Sequence, residues 1–226
     1  MSGATSESAI AAFYKSKPAA YFANARSDIV EALTTGPGCA ILELGCGAGG
    51  TGRLAMSLGK AGRYVGIELS EAAAAKAAEV LTQVVVGDVE SLNLESLAGK
   101  FDALIISEVL EHLADPWTTL SRLAACVRAG GEVYASSPNI AHWKVITNLL
   151  MGRFVYEERG VMDRTHLRWF TPASYAAMFE QAGIEVLSIQ PVTTMQPKAK
   201  AINALTGGRF RHLFITQIMI RGRKRP

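Results

Sequence analysis

The chain has 226 residues, of which 49% are hydrophobic, with a mild formal net charge of +3 that says little about partners. That length and apolar share allow one ample domain, and no apolar run is long enough to span a bilayer as a helix. The three cysteines, Cys39, Cys46 and Cys126, form neither a CxxC pair nor a disulfide framework, and the start lacks an export-signal pattern, so a reducing, cytoplasmic setting is expected.

Taken in chain order, residues 1–38 read as one or two amphipathic helices with an aromatic side, expected to form a lid segment. CAILELG (39–45) reads as a strand, GTGRLAMSLGKAG (50–62) as a helix, and RYVGIELS (63–70) as a second strand. Ser70 is placed to cap an alanine-rich helix over 71–81, and QVVVGDV (83–89) is a third strand. FDALIISEV (101–109) is apolar throughout, as a central strand should be. An amphipathic helix is expected over 115–131, with Pro116 in its first turn and Gly130 past its end, followed by a fifth strand over 132–138. An insertion over 139–170 precedes a helix over 171–183. IEVLSIQPV and LFITQIMIRGRK close the chain as two paired strands, and the basic ending RGRKRP reads as a solvated terminus. This rhythm predicts a doubly wound, Rossmann-like α/β domain over 39–226, whose ligands bind at the carboxyl ends of the strands.

Those ends carry the unusual residues. ELGCGAGG (43–50) follows a strand and opens a helix, so its glycines let backbone approach a ligand. The spacing is GxGxG, short of the dinucleotide fingerprint. Glu68 ends the second strand 23 residues after Gly45, where an acid can accept both ribose hydroxyls of an adenosine. Asp88 lies where an adenine amino group could donate to it, with an ordinary turn aspartate as the alternative. Glu43 would oppose a pyrophosphate but suits a cationic amino-acid moiety. A structural hydrogen bond to loop amides is the alternative for Glu43.

In their order and spacing, ELGCGAGG, GIELS, VGDVE and FDALIISEVLEHL resemble the class I S-adenosylmethionine-dependent methyltransferases. The resemblance implies a seven-stranded sheet with one antiparallel strand and S-adenosylmethionine as the cofactor. It implies that residues 43–49, including Glu43, Gly45, Cys46, Gly47 and Gly49, cradle the methionine part. It also implies that Glu68 with Leu69 binds ribose, that Asp88 with Val89 contacts adenine, and that Ser107 lies near the cofactor. Glu68 departs from the aspartate commoner in the family. Arg26 resembles the arginine that some members place near the cofactor carboxylate.

Glu108, Glu111 and His112 follow the fourth strand and, as a helix, would share one face. His166 lies in the insertion, before the helix that starts with Thr171. This pattern resembles small-RNA 2′-O-methyltransferases, where four such residues hold a divalent ion, and ubiquinone-pathway O-methyltransferases. Two carboxylates and two imidazoles suit Mn²⁺, Fe²⁺, Co²⁺ or Zn²⁺. The competing reading is a metal-free site in which His112 or His166 is the general base and Glu108 assists it. Either one argues for O-methylation, because an alcohol must lose its proton.

The insertion and the last strand most closely resemble bacterial enzymes of surface-glycan and O-antigen biosynthesis, so a sugar hydroxyl is the expected acceptor. A small phenolic or quinone-type acceptor is the alternative, and a non-catalytic S-adenosylmethionine-binding protein or an NAD dehydrogenase are the rivals. Nucleic acid is not expected, since no RNA-binding module accompanies the near-balanced charge. Phe13, Tyr14, Tyr21, Trp143, Phe154, Trp169 and Phe170 could line an acceptor cleft or pack a lid. Asp163, Arg164 and Arg168 could orient a polar substrate or form a salt-bridged loop.

Overall fold

The computed structural model describes residues 25–193 and 196–226. Contacts divide the chain into a unit ending at Asn93 and a unit running from Leu94 to Pro226. Residues 1–24 of the expected lid, with Phe13, Tyr14 and Tyr21, lie outside the described residues.

In the first unit, α1 (Ser27–Ala32) is followed by β1 (Ala40–Leu44), α2 (Gly50–Ser57), β2 (Arg63–Glu68), α3 (Glu71–Ala77) and β3 (Gln83–Val86). β2 pairs in parallel with β1 on one side and β3 on the other. Tyr64, Val65, Gly66, Ile67 and Glu68 are all buried along it, the near-continuous burial a central parallel strand requires. Gly66 has a local cause, since a Cβ there would sit 2.3 Å from the Cys46 sulfur. Ser70 caps α3 by accepting a hydrogen bond from Ala73 N–H, as the sequence predicts. Both helices are shorter than expected. The apolar pattern of α2 runs on past Ser57 into Leu58, but Leu58 is exposed and Gly59 takes a left-handed φ of 67°.

In the second unit, β4 (Phe101–Ser107) leads through a 3₁₀ turn (Leu110–His112) into α4 (Pro116–Cys126) and β5 (Val127–Pro138). Next come α5 (Trp143–Leu150), α6 (Pro172–Gln181), β6 (Ile184–Pro191), α7 (Pro197–Leu205), a 3₁₀ turn (Arg211–Phe214) and β7 (Gln217–Lys224). β4 and β5 are parallel, and β7 lies antiparallel between β5 and β6. The strand order is β3-β2-β1-β4-β5-β7-β6, a seven-stranded sheet with one reversed strand. Within each unit helices pack on the strands: α2 and α3 in the first, α4 and α6 in the second. The predicted fold class holds.

Two further boundaries differ from the sequence expectation. The helix read over 115–131 stops at Cys126, and residues 127–131 open β5 instead. Asp115 and Pro116 start α4 as foreseen, with the aspartate accepting from Thr118 N–H. At the far end, β-branched Val127 pairs with Phe101, and the register then jumps so that Ala103 meets Glu132. Gly130 takes the jump with φ 78°, while a Cβ on Gly131 would sit 2.9 Å from the Asp102 carbonyl. The last strand likewise begins at Gln217. Leu213 and Phe214, read as its start, belong to the 3₁₀ turn, and α7 intervenes before it.

Candidate active site

The cradle of the first unit is built at the ends of β1 and β2. Gly45, Gly47 and Gly49 have φ of 73°, 55° and 79°, so every second residue of the turn is in a region that side chains rarely adopt. Gly49 is also sterically committed, because a Cβ there would meet Val80 at 2.7 Å. Gly45 and Cys46 donate to the Ile67 carbonyl, and Gly47 N–H donates to Glu68 Oε2 at 2.8 Å. Glu68 Oε1 accepts from Ser70 N–H at 2.8 Å. Glu68 is thus fixed by the turn it would serve, and each of its oxygens keeps a second lone pair for a hydroxyl. Burial raises its pKa, and the amides of Ser70 and Gly47 oppose the shift. Leu69 is half-buried beside it.

Glu43 is 3% exposed, and Tyr64 donates its phenol proton to Glu43 Oε2 at 2.9 Å. Burial pushes this carboxyl up to about 7, against the lowering effect of hydrogen bonds from Tyr64 and Thr51. The partner is a phenol rather than the loop amides that the sequence offered as the alternative. Cys46 is buried in the same corner, and its thiol is pushed up by that burial. The Arg26 guanidinium forks onto Asp28 at 2.9 and 2.8 Å, while its backbone N–H donates to Thr51 Oγ1 at 3.3 Å. Asp88 is exposed and accepts from Glu90 N–H at 2.9 Å, which is the turn geometry foreseen as its alternative. Val89 beside it is buried.

A raised Glu43 pKa has a measurable consequence for a cationic ligand. Below pH 4.5 the protonated carboxyl matches its buried setting, and that contribution to stability is lost as pH rises through about 7. A sulfonium or ammonium group held against Glu43 favours its ionised form. We expect S-adenosylmethionine binding near neutral pH to release a proton. Calorimetry in buffers of differing ionisation enthalpy would show it, and Glu43→Gln should flatten that dependence.

The second unit holds the other cluster. Glu108 does not continue a helix, as its φ is 55° and it is the only non-glycine residue with positive φ among the described residues. The chain then makes the 3₁₀ turn Leu110–His112, in which all three side chains are buried. The expected i, i+3, i+4 face is therefore replaced by a kink and a tight turn. Even so, Glu111, His112 and His166 converge, with one ligand atom from each within 4.8 Å of the others. Glu108 is not in that group, yet its charge reaches Glu111. Burial drives the Glu111 carboxyl well above its usual range, and Glu108 is the next cause.

The histidines are held alike. The Thr165 hydroxyl donates to Asp163 Oδ1 at 2.7 Å, so it presents only lone pairs to His112 Nδ1, 3.2 Å away. The Thr165 carbonyl lies 3.2 Å from the same nitrogen, and the Val161 carbonyl lies 3.1 Å from His166 Nδ1. Acceptors facing Nδ1 place a proton there in both rings, so Nε2 carries the lone pair in the neutral form of each. Backbone carbonyls orienting imidazoles this way are the usual support of metal-ligating histidines. The rings meet edge to face with centroids 4.8 Å apart. Ser137 donates to Glu111 Oε2 at 3.3 Å, whereas Glu111 Oε1 is buried with no hydrogen-bond partner. Two imidazoles and an orphaned carboxylate oxygen fit a borderline divalent cation.

Beside His166 lies a cleft of about 610 Å³ lined by Tyr156, Arg164, His166, Leu167 and Trp169. Phe154, Tyr156 and Trp169 form an aromatic group with centroids 5.3 to 6.3 Å apart. Phe170 instead packs in the interior against Tyr175, and Trp143 lies beside His142. Arg164 pairs with Glu158, and Arg168 bonds the Ala114 carbonyl. Ser107 contacts Ser136 through their hydroxyls. Thr51, Tyr64, Ser137 and Thr165 were not singled out in the sequence. Tyr64 left a signal there, since a phenol inside an apolar strand needs a buried partner.

The seven-stranded order, the glycine cradle and the acid ending β2 define a class I methyltransferase. A family model described as a methyltransferase domain matches residues 14–189. The ubiquinone biosynthesis O-methyltransferase of Aromatoleum aromaticum is 31% identical over 166 residues, covering 68% of this chain and 69% of that one. An uncharacterized 37.1 kDa protein in transposon TN4556 of Streptomyces fradiae is 29% identical over 192 residues. That match takes in 80% of this chain but 54% of the relative, so the chain spans about half of that protein. A solved S-adenosylmethionine-dependent methyltransferase from Mesorhizobium loti shares the fold, with a TM-score of 0.60 at 17% identity over 87% of this chain and 96% of that one. The chain belongs to the class I S-adenosylmethionine-dependent methyltransferases.

Proposed function

We propose that the protein transfers the methyl group of S-adenosylmethionine to a hydroxyl oxygen of a small, ring-bearing acceptor, with a phenol as the best fit. The convergence of Glu111, His112 and His166 carries this reading. Methyl transfer from a sulfonium is an in-line displacement, so carbon or nitrogen acceptors gain mainly from positioning. An oxygen acceptor must also lose a proton, and this cluster supplies what that needs. A divalent ion held by Glu111, His112 and His166, with Glu108 nearby, would acidify the hydroxyl. Without it, a neutral imidazole with its lone pair on Nε2 is a competent proton acceptor.

In this reading, residues 43–49 and Arg26 hold the methionine part. Glu68 takes the ribose, and Asp88 with Val89 takes the adenine. The acceptor ring lies against Tyr156 and Trp169, and Arg164 offers one charged donor to it. A sugar, the acceptor first expected from the sequence, needs planar polar partners for several hydroxyls. The cleft provides few of them beyond Arg164 and His166. The name of the Aromatoleum relative also points to oxygen methylation.

The test is transfer of labelled methyl from S-adenosylmethionine to a panel of catechols, sugars and amines, before and after chelation. Label in a catechol ether, lost on chelation and restored by Mn²⁺, Co²⁺ or Zn²⁺, is expected. Label that survives chelation returns the cluster to a metal-free base. Label in sugars alone, or in amines alone, overturns the acceptor.

A further inference from the structure

Helix α7 is turned the wrong way for a helix of a globular surface. None of its residues is buried. Ile202 and Leu205, one turn apart on one face, are 46% and 87% exposed. Lys198 stands on that face one turn before Ile202 and is exposed as well. The side facing the rest of the unit carries Ala199, Asn203 and Thr206, all half-buried. A helix held only by its own unit would present its large aliphatic side chains inward and its small polar ones outward. Here the order is reversed, and Phe210 just beyond the helix is 43% exposed.

The charge of the segment is one-sided. Residues 196–214 contain Lys198, Lys200, Arg209 and Arg211 and no acidic residue. Arg211 also donates to the Ile189 carbonyl, which ties the following turn to β6. Exposed aliphatic and aromatic side chains framed by cations are the chemistry of an interfacial segment. The apolar groups enter the headgroup–acyl boundary, and the lysines and arginines meet lipid phosphates. A nucleic acid would match the cations but offer nothing to Leu205.

We propose that residues 196–214 dock the protein on an anionic lipid surface, with Ile202, Leu205 and Phe210 inserted and Lys198 and Arg209 on the headgroups. The docking is peripheral, since no described helix is long and apolar enough to cross a membrane. It does not depend on the identity of the methyl acceptor.

The experiment is cosedimentation of the full chain with vesicles of equimolar phosphatidylcholine and phosphatidylglycerol, and with vesicles of phosphatidylcholine alone. Binding to the anionic vesicles is expected, weakening as salt is added. Ile202→Ser with Leu205→Ser should cut it roughly tenfold or more. Lys198→Gln with Arg209→Gln should cut it about fivefold per cation at low salt. Thermal melting of both variants should match the parent, because none of the replaced side chains is buried. Three results would overturn the proposal. One is no sedimentation with anionic vesicles, and another is sedimentation unchanged in the serine variant. The third is retention on duplex RNA as strong as on lipid and dependent on Lys198 and Arg209 alone.

Discussion

Glu111→Gln is expected to lower kcat for an oxygen acceptor by roughly 10²- to 10⁴-fold, the range for losing a positioned acid–base or metal-ligating group. The cradle residues lie on other elements, so the binding heat of S-adenosylhomocysteine should stay within about twofold of the parent. The same substitution should change stability in the opposite direction. The Glu111 carboxyl is 1% exposed, one of its oxygens has no hydrogen-bond partner, and burial followed by the Glu108 charge raises its pKa. A carboxyl raised in the folded state stabilises below its ordinary value of 4.5, and that contribution is lost as pH rises through the folded pKa. In metal-free protein the glutamine variant should therefore gain on the parent as pH rises, read as a widening difference in Tm. Adding Mn²⁺ or Zn²⁺ should raise the Tm of the parent and leave the variant nearly unmoved. Equal Tm responses to the ion would remove Glu111 from the ligand set. An unchanged kcat would remove the cluster from the chemistry. Activity lost while stability is gained is the expected signature of a site kept under electrostatic strain.

The fold was legible because its signals are local and repeated. Strands β1 to β4 announce themselves as short apolar runs ended by glycine or an acid, and Ser70, Asp115 and Pro116 mark helix starts that the structure keeps. What failed was chiefly the far end of each helix. Cys126 and Val127 continue an apolar period that tertiary pairing overrides, because Val127 finds Phe101 across the sheet. α7 gave no period to read, since burial does not shape it. The candidate site divides in the same way. Its residue types could be named from sequence, but Glu108, Glu111 and His112 do not lie on one helical face, because the chain kinks at Glu108 and then makes a 3₁₀ turn. A 3₁₀ turn and the loop around Thr165 bring Glu111, His112 and His166 together. Thr165 went unnoticed because a hydroxyl supporting an imidazole leaves no spacing rule behind it. The exposure of Asp88 and the Arg26–Asp28 fork also depend on loop geometry that one sequence does not fix.

Glu108 itself supports the second large prediction. A left-handed glutamate costs roughly 1–2 kcal/mol relative to glycine at the same φ, partly offset by the greater freedom of glycine in the unfolded chain. Glu108→Gly should therefore be more stable than Glu108→Ala by roughly 1 kcal/mol, measured by chemical denaturation of the two variants side by side. The pair also separates the roles of side chain and backbone, since both variants lack the carboxylate but only glycine relaxes the kink. If the carboxylate serves the acceptor site, kcat should fall by a similar factor in both, and Glu108→Gln should not recover it. If only alanine impairs turnover, the backbone position is what matters, and the carboxylate leaves the catalytic set. Strain of this size persists only where the surrounding structure holds it. The 3₁₀ turn that follows, with Leu110, Glu111 and His112 all buried, is the part of the chain that the kink aims. Relaxing Glu108 should then loosen the convergence of Glu111 with the two histidines, so that the glycine variant gains stability while its affinity for a divalent ion falls.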